Sequence, residues 1–584
     1  MTPVPEAYAG APPQPSTGAY RGLLTLILLG GCALRLWRIR DQVVIDDEWH
    51  ALNAVQYFDA GWILTHFGTA DISIPLALLY EWQQRWFGLS ELLLRWPMLA
   101  AGAAAIVLVP HLLRTWLDRR ERLLLAALIA VSPFLVYYSR FARPYALLAL
   151  LGCAAVVLAW RWWQAGRPGL AAGWAGCAAL SAWLNPAALA VAAAPFAWLG
   201  LQALRTGISG GGWRPLTRLA AVGLATVALL AALLGPPLAT DFASFAGKAA
   251  QHEVSGGTLG WVLSLAAGSG HVAAYAALGL VALWGLHGLY RRDPGFAVYL
   301  AVTALLAGAA VSLSGAAWVK HGPVFLRYLV GLLPLFLATV AIGLAQAAAL
   351  LARRSTRGHA AWSLLFVAVL VAVGPLPDWP WRHGQFVQHQ YYQFHYDPAR
   401  NALREYVDGW YRTEAFYTEI AALHPAGDAV IVEAPWWLES FYNPLHLQQA
   451  AHGQRVQVGF VNGVCAGPLY GELRADQQGM GFRNFVTLAE LLDGTRSADY
   501  LVLRRQGLAP PPARQVEMDY ATCERAVRER FGAPWRATGD ALVFRLGGRP
   551  AEPPAAQARA AGVPMRRRIA QPSSVSSTMP ASGP

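Results

Sequence analysis

Charge is what this chain has least of. Only 14% of its 584 residues are Asp, Glu, Lys or Arg, against 55% hydrophobic, with a mean hydropathy of +0.35. That balance excludes an ordinary soluble globule and places the chain among polytopic membrane proteins. Acids are scarcer than bases, 34 against 46, for a net charge of +12. The arginines lie in short clusters between apolar runs, as orienting charges do, and this pattern excludes nucleic acid as a partner. The five cysteines show no metal-ligand spacing. Cys32, Cys153 and Cys177 fall in apolar runs and read as small buried hydrophobes. Cys465 and Cys523 fall in the polar C-terminal region and are a candidate disulfide if that region faces an oxidising compartment. No internal repeat interrupts the pattern.

What is there is a succession of apolar runs. They begin at Gly22 to Trp37 and recur at Leu92 to Leu113, Leu123 to Tyr138, Tyr145 to Trp160, Leu170 to Leu184 and Ala187 to Leu204. Further runs follow at Leu219 to Leu234, Val272 to Leu289, Phe296 to Leu313, Tyr328 to Leu351 and Ala361 to Val373. This predicts a polytopic α-helical membrane protein with about eleven transmembrane helices. Leu29-Gly30-Gly31-Cys32 resembles a lipoprotein cleavage box, but the preceding arm is long and carries only Arg21 as a positive charge, so a retained first helix is expected. Alternate loops carry the arginine clusters, from Arg114 to Arg122 through Arg353 to Arg357, and these face the cytoplasm by the positive-inside rule. The opposite loops and the C-terminal region then lie outside.

The organisation expected is a disordered cytoplasmic arm over 1–19, a transmembrane domain over 20–374, a soluble extracytoplasmic α/β domain over 375–547 and a disordered tail over 548–584. Within the membrane domain, 45–90 reads as an outer loop with helices lying at the interface. In the C-terminal region, Ala429 to Glu433, Val456 to Val461, Tyr500 to Leu503 and Ala541 to Phe544 have strand character, and Thr522 to Phe531 a helical pattern.

Against this background Ile45-Asp46-Asp47-Glu48-Trp49-His50 stands out: three consecutive carboxylates just beyond the first apolar run. A charge exposed to lipid at a helix centre costs about 2.5–3.5 kcal/mol, so such a cluster is kept for a site or sits in water. A solvated helix start accounts for it equally well in local terms, because acids favour helix N-termini. Around it, on the same side, gather Arg35, Arg38, Arg40, Arg140, Arg143, Lys248, Lys320 and Arg327, against the positive-inside rule. Some of these hold a phosphate or pyrophosphate, for which the planar guanidinium fork is suited; the alternative is snorkelling helix ends.

The order of elements carries a resemblance. The Asp47-Glu48 loop is followed by Phe87-Gly88-Leu89-Ser90-Glu91-Leu92-Leu93-Leu94-Arg95, by Ser132-Pro133-Phe134, and by Tyr137-Tyr138-Ser139-Arg140-Phe141-Ala142-Arg143-Pro144-Tyr145-Ala146-Leu147. Over about residues 20 to 350 the chain resembles integral-membrane glycosyltransferases of the C-type fold. Within these it is most similar to the protein mannosyltransferase, aminoarabinose transferase and lipopolysaccharide-core galacturonosyltransferase group. The resemblance implies transfer of a sugar from a polyprenyl-phosphate donor to an acceptor at the outer face of the cytoplasmic membrane, with inversion. It carries the general base onto Asp47, with Glu48 orienting it or the acceptor; spacing alone leaves Asp46 and Glu48 open as the base. The chemistry agrees, since an inverting displacement needs one carboxylate for the acceptor proton and positive neighbours for the departing phosphate.

The resemblance also implies donor-phosphate contacts from Arg143, Lys320, Arg327 and Tyr328, with Arg40 nearby, and acceptor or sugar contacts from Asp71 and His50. For Arg143 a structural pair with a loop carboxylate remains open. Two departures stand out. Asp71-Ile72-Ser73-Ile74-Pro75-Leu76 lacks the His and first Pro of the related Asp-x-His-Pro-Pro-Leu run, and Arg140-Phe141 replaces a Gln-Glu. Asp241, His252 and Glu253 are the only acids and histidine that a second outer loop offers a metal, and transfer without a divalent metal is expected. Two other classes compete: a flippase for a lipid-linked sugar, which needs ionisable groups near the membrane midplane, and a scaffold without catalysis.

Overall fold

All eleven apolar runs form helix. The computed structural model describes residues 14–37, 39, 48, 50–51, 54–55, 58–68, 72–87, 91–247, 253–269, 271–316, 318–352, 355–373, 414–436, 452–460, 485–487, 491–494, 497–504 and 520–547. The chain opens on α1 (Thr17–Leu36), then two short helices of the connection that follows it, α2 (Ala60–Thr65) and α3 (Ile74–Phe87). Next come α4 (Glu91–Leu112), α5 (Arg119–Val131), α6 (Pro133–Ser139), α7 (Tyr145–Ala165), α8 (Pro168–Leu184) and α9 (Leu189–Thr206). The membrane part continues with α10 (Arg214–Thr240), α11 (Phe242–Ala246), α12 (Gly256–Ala267), α13 (Val272–Arg292), α14 (Pro294–Ser314), α15 (Gly322–Tyr328), α16 (Leu333–Leu351) and α17 (Thr356–Val373).

Among the described residues, eight helices are long and apolar enough to cross a membrane, and nine when α5 and α6 count as one bent span. The remaining two runs of the expected eleven are α8, with 17 residues, and α17, with 18. Both are near the lower end of what spans a bilayer. The bend between α5 and α6 is 59° and falls at Ser132-Pro133. Proline lacks the N–H that would continue the ladder and disfavours helix at the residue before it. Near its start, α5 is held by a capping box in which Asp118 accepts from the Arg120 and Glu121 amides while Glu121 accepts from the Asp118 amide. Glu121 also takes a bidentate pair from Arg292 at 2.6 and 2.7 Å, tying α5 to the end of α13.

Beyond the membrane helices, the expected strands are all present, three of them within one residue and β1 running three residues past its expected end: β1 (Val430–Trp436), β2 (Arg455–Phe460), β4 (Tyr500–Arg504) and β6 (Ala541–Arg545). The sequence missed β3 (Phe485–Thr487), β5 (Arg536–Ala537) and the helix α18 (Ala415–Leu423), while the helical pattern at Thr522 is α19 (Tyr520–Phe531). The sheet runs β3-β2-β1-β4-β6-β5; its first four strands are parallel, and β6 pairs antiparallel with both β4 and β5. Alternating residues serve the two faces. Val430, Val432, Leu501 and Leu503 pack with Cys523 and Val527 of α19. Ile431, Tyr500 and Val502 pack with Phe416, Tyr417 and Ile420 of α18. Glu433 and Arg504 fall on the α18 face, where Tyr417 donates to Glu433 and Arg504 bonds Tyr417 and Glu414 at 2.7 and 2.9 Å.

Candidate active site

One carboxylate of the organising stretch is described, and it is fully buried. Glu48 accepts from Arg95 through both oxygens, Nε to Oε1 at 2.9 Å and Nη2 to Oε2 at 2.8 Å, and neither side chain touches solvent. Oε1 accepts again, from the backbone N–H of Ala142 at 2.7 Å. Arg95 lies near the start of α4 and Ala142 in the turn between α6 and α7. Three separate segments therefore meet on this one carboxylate. The fork-to-fork geometry fixes its plane as well as its position. With both oxygens engaged, Glu48 is built as an anchor for its neighbours.

Tyr80 of α3 closes the cluster. It is buried, donates to the Leu94 carbonyl at 2.9 Å and lies in the field of Glu48, Arg143 and Arg95. Burial and then the Glu48 charge push its phenol well above the usual range, with Arg143 and Arg95 opposing, so it is a neutral donor. Arg143 is buried in the same neighbourhood, two residues before Tyr145. Arg327, near the end of α15, lays its guanidinium over the Tyr145 ring, 5.1 Å from the centroid. That approach rests on two glycines. A Cβ on Gly331 would sit 2.8 Å from the Gly152 backbone, so the turn before α16 packs backbone to backbone on α7. Two of the expected phosphate contacts are thus brought to one motif.

The other expected residues divide. Asp46, Asp47, Arg40 and Asp71 lie outside the described residues, as do Arg38, Lys248 and His252. His50 is half-buried just after Glu48, and Tyr328 is half-buried against the helical core. Lys320 is exposed, and its carbonyl accepts from Thr258 at 2.7 Å, fastening α12 to the segment before α15. Asp241, offered by the sequence as a metal ligand, instead accepts the backbone amides of Phe67 at 2.9 Å and Gly68 at 3.2 Å, pinning the end of α2 to α10. Among the described residues no group of three His, Cys, Asp or Glu is placed to hold a metal ion. Arg35 and Arg140 donate to backbone carbonyls. Cys32, Cys153 and Cys177 are free thiols, whereas Cys523 is disulfide-bonded; Cys465 lies outside the described residues.

Sequence reasoning gave Arg95 no role, although it belongs to one of the motifs, and read Tyr80 as a belt or packing aromatic. The available signal was an arginine inside an otherwise apolar run on the outer side, which must find a partner to be buried.

No protein-family model matches the chain, and no curated protein matches it. Solved structures do. The chain is similar to ArnT from Cupriavidus metallidurans bound to undecaprenyl phosphate, at 14% identity and TM-score 0.51, over 91% of this chain and 98% of that one. The apo state of the same protein matches at 13% identity and TM-score 0.51, over 90% and 98%. An oligosaccharyltransferase from Archaeoglobus fulgidus superposes more loosely, with 14% identity, TM-score 0.43 and 83% and 68% coverage. The molecule accordingly has the C-type fold of integral-membrane glycosyltransferases, with a small C-terminal sheet.

Proposed function

We propose that this chain is a membrane glycosyltransferase that moves a sugar from a polyprenyl-phosphate donor to an acceptor at the outer face of the cytoplasmic membrane, with inversion. The observation that carries the reading is the Glu48 knot. It ties the carboxylate stretch to the Ala142-Arg143-Pro144-Tyr145 turn, so the acidic and basic halves of the site share one anchor. In the reaction the acceptor oxygen attacks the anomeric carbon from the face opposite the phosphate. Asp47, next to the anchored Glu48, takes the acceptor proton as the bond from carbon to phosphate oxygen breaks. The charge that develops on the leaving polyprenyl phosphate falls to Arg143 and Arg327, with Lys320, Tyr328 and Arg40 as further contacts. Asp71 and His50 are assigned to the acceptor or sugar.

Transfer is assigned to carboxylate and arginines without a divalent metal; the engagement of Asp241 with two backbone amides supports this. The outward placement of the C-terminal region is supported by its disulfide at Cys523, a linkage of oxidising compartments, while the three cysteines of the membrane helices are free. The test is turnover of a panel of polyprenyl-phosphate monosaccharides by the purified protein in detergent. Asp47→Asn is expected to lose transfer by about 10²–10⁴-fold with its fold intact. An unchanged rate in that variant would remove Asp47 as the base.

A further inference from the structure

Two buried arginines, Arg35 and Arg140, bond each other's helices. Arg35, in the last turn of α1, reaches across to the break between α5 and α6. Its Nη2 donates to the Ile129 carbonyl at 3.1 Å, and its Nη1 to Ala130 and Gly31 at 3.0 Å each. Ile129 is four residues before Pro133, the residue whose missing N–H would have bonded that carbonyl; Arg35 supplies the donor that the proline removed. Its Nε donates to Ser139 Oγ at 3.1 Å. Arg140, one residue beyond α6, returns the contact. Its Nη1 donates to the carbonyls of Leu34, Arg35 and Trp37 at 3.2, 3.3 and 2.6 Å, which are groups that the end of α1 leaves without intrahelical donors.

The packing around this exchange leaves no slack. A Cβ on Gly102 of α4 would stand 2.0 Å from Ser139 Oγ and 3.0 Å from Arg35 Nε, and one on Gly31 would stand 2.5 Å from Ile106. Arg140 is two residues before Ala142, whose amide holds Glu48.

We infer that Arg35 and Arg140 are positioning residues: a reciprocal clasp that completes the broken α5–α6 span and the end of α1, and so holds the Ala142 amide and Arg143 in register with Glu48. The inference rests on the transferase reading for its consequence, but the clasp itself is read from the carbonyls it caps. A lysine cannot replace Arg35, because one ammonium cannot span the Gly31 carbonyl of α1 and the Ile129 and Ala130 carbonyls of α5 in the plane that the fork occupies.

The experiment compares the full-length native protein with Arg140→Gln, Arg35→Lys and Gly102→Ala, the last crowding the clasp without removing a charge. Amide hydrogen exchange is followed for the peptide covering 138–146, together with kcat and KM for the donor. In all three variants exchange at 138–146 is expected to rise at least tenfold, while peptides of α13 and α16 stay as in the native protein. Turnover is expected to fall about 100-fold in Arg140→Gln and in Arg35→Lys, as for a misplaced catalytic group, with KM for the donor changed less than threefold. If Arg140→Gln does not fold, Gly102→Ala carries the same comparison. Unchanged exchange at 138–146 overturns the clasp, and raised exchange with native kcat overturns its positioning role. A native chain that transfers no sugar from any donor overturns the transferase reading instead; the exchange rate then decides the clasp alone, raised in its favour and unchanged against it.

Discussion

At the scale of residues, the Glu48–Arg95 pair is a large commitment of free energy in one place. Removing one partner of a buried ion pair typically costs about 3–5 kcal/mol because the other charge is left without compensation, whereas replacing both is far milder. Arg95→Met is therefore expected to lower the melting midpoint in detergent strongly, and Glu48→Met/Arg95→Met to be less destabilised than the sum of the single variants; a double-mutant thermal-shift cycle reads this. A second residue-scale effect sits in the C-terminal sheet. His452 is buried, stacks on Tyr417, and accepts the Gln454 amide at Nδ1 at 3.0 Å. Burial holds its imidazole down at about 4. A group depressed on folding contributes stability above its unfolded value of about 6.5 and loses it as pH falls toward 4. At pH 5 this amounts to about 2 kcal/mol. Glu433 works in the opposite sense, since burial raises its carboxyl, so its contribution grows as pH falls. Comparing the native protein with His452→Gln between pH 7.5 and 5 isolates the histidine: the variant should show the weaker loss of melting temperature on acidification.

At the scale of elements, the bent α5–α6 span is where local sequence and long-range contact meet. Its start is specified locally, by the Asp118 capping box and the Glu121–Arg292 pair. Its middle is broken by Pro133, and its end delivers the turn on which Glu48 is hung. Loss of an N-cap carboxylate costs about 0.5–2 kcal/mol. Asp118→Ala is accordingly expected to cost about 1 kcal/mol in thermal stability while leaving sugar transfer within twofold of native, because the cap lies at the opposite end of the span from the turn. A large loss of activity at native stability would contradict that separation. α3 plays a comparable role on the other side of the site, carrying Tyr80 against the Leu94 carbonyl at the start of α4.

At the scale of the whole molecule, the helices supply a scaffold in which ends of α1, α4, α6–α7 and α15 converge, while the helical faces turned outward are covered with leucine and valine. A ligand that binds only the folded state stabilises it by mass action, about 2.7 kcal/mol at a hundred times its Kd. Polyprenyl phosphate is therefore expected to raise the melting midpoint of the native protein. Arg143→Gln and Arg327→Gln should each cut that rise by more than half, and a full rise in both variants would place the phosphate elsewhere.

The sequence by itself determined the membrane class, the eleven apolar helices and four strands of the sheet. Each of these depends on local composition or periodicity, and burial of apolar surface enforces it without reference to distant parts of the chain. β3 and β5 escaped because three and two residues are too few to show alternation. What only the tertiary structure decided is which charge meets which. Glu48 and Arg95 are 47 residues apart, Glu48 and Ala142 94, and Arg35 and Ser139 104. From sequence, eight basic residues gathered around the carboxylates, and only the resemblance singled out Arg143, Lys320, Arg327 and Arg40 among them for a phosphate. Packing of the helix ends sent Arg35 and Arg140 to backbone carbonyls and brought Arg143 and Arg327 to the Tyr145 motif, because a buried guanidinium must bond whatever acceptors the fold leaves beside it.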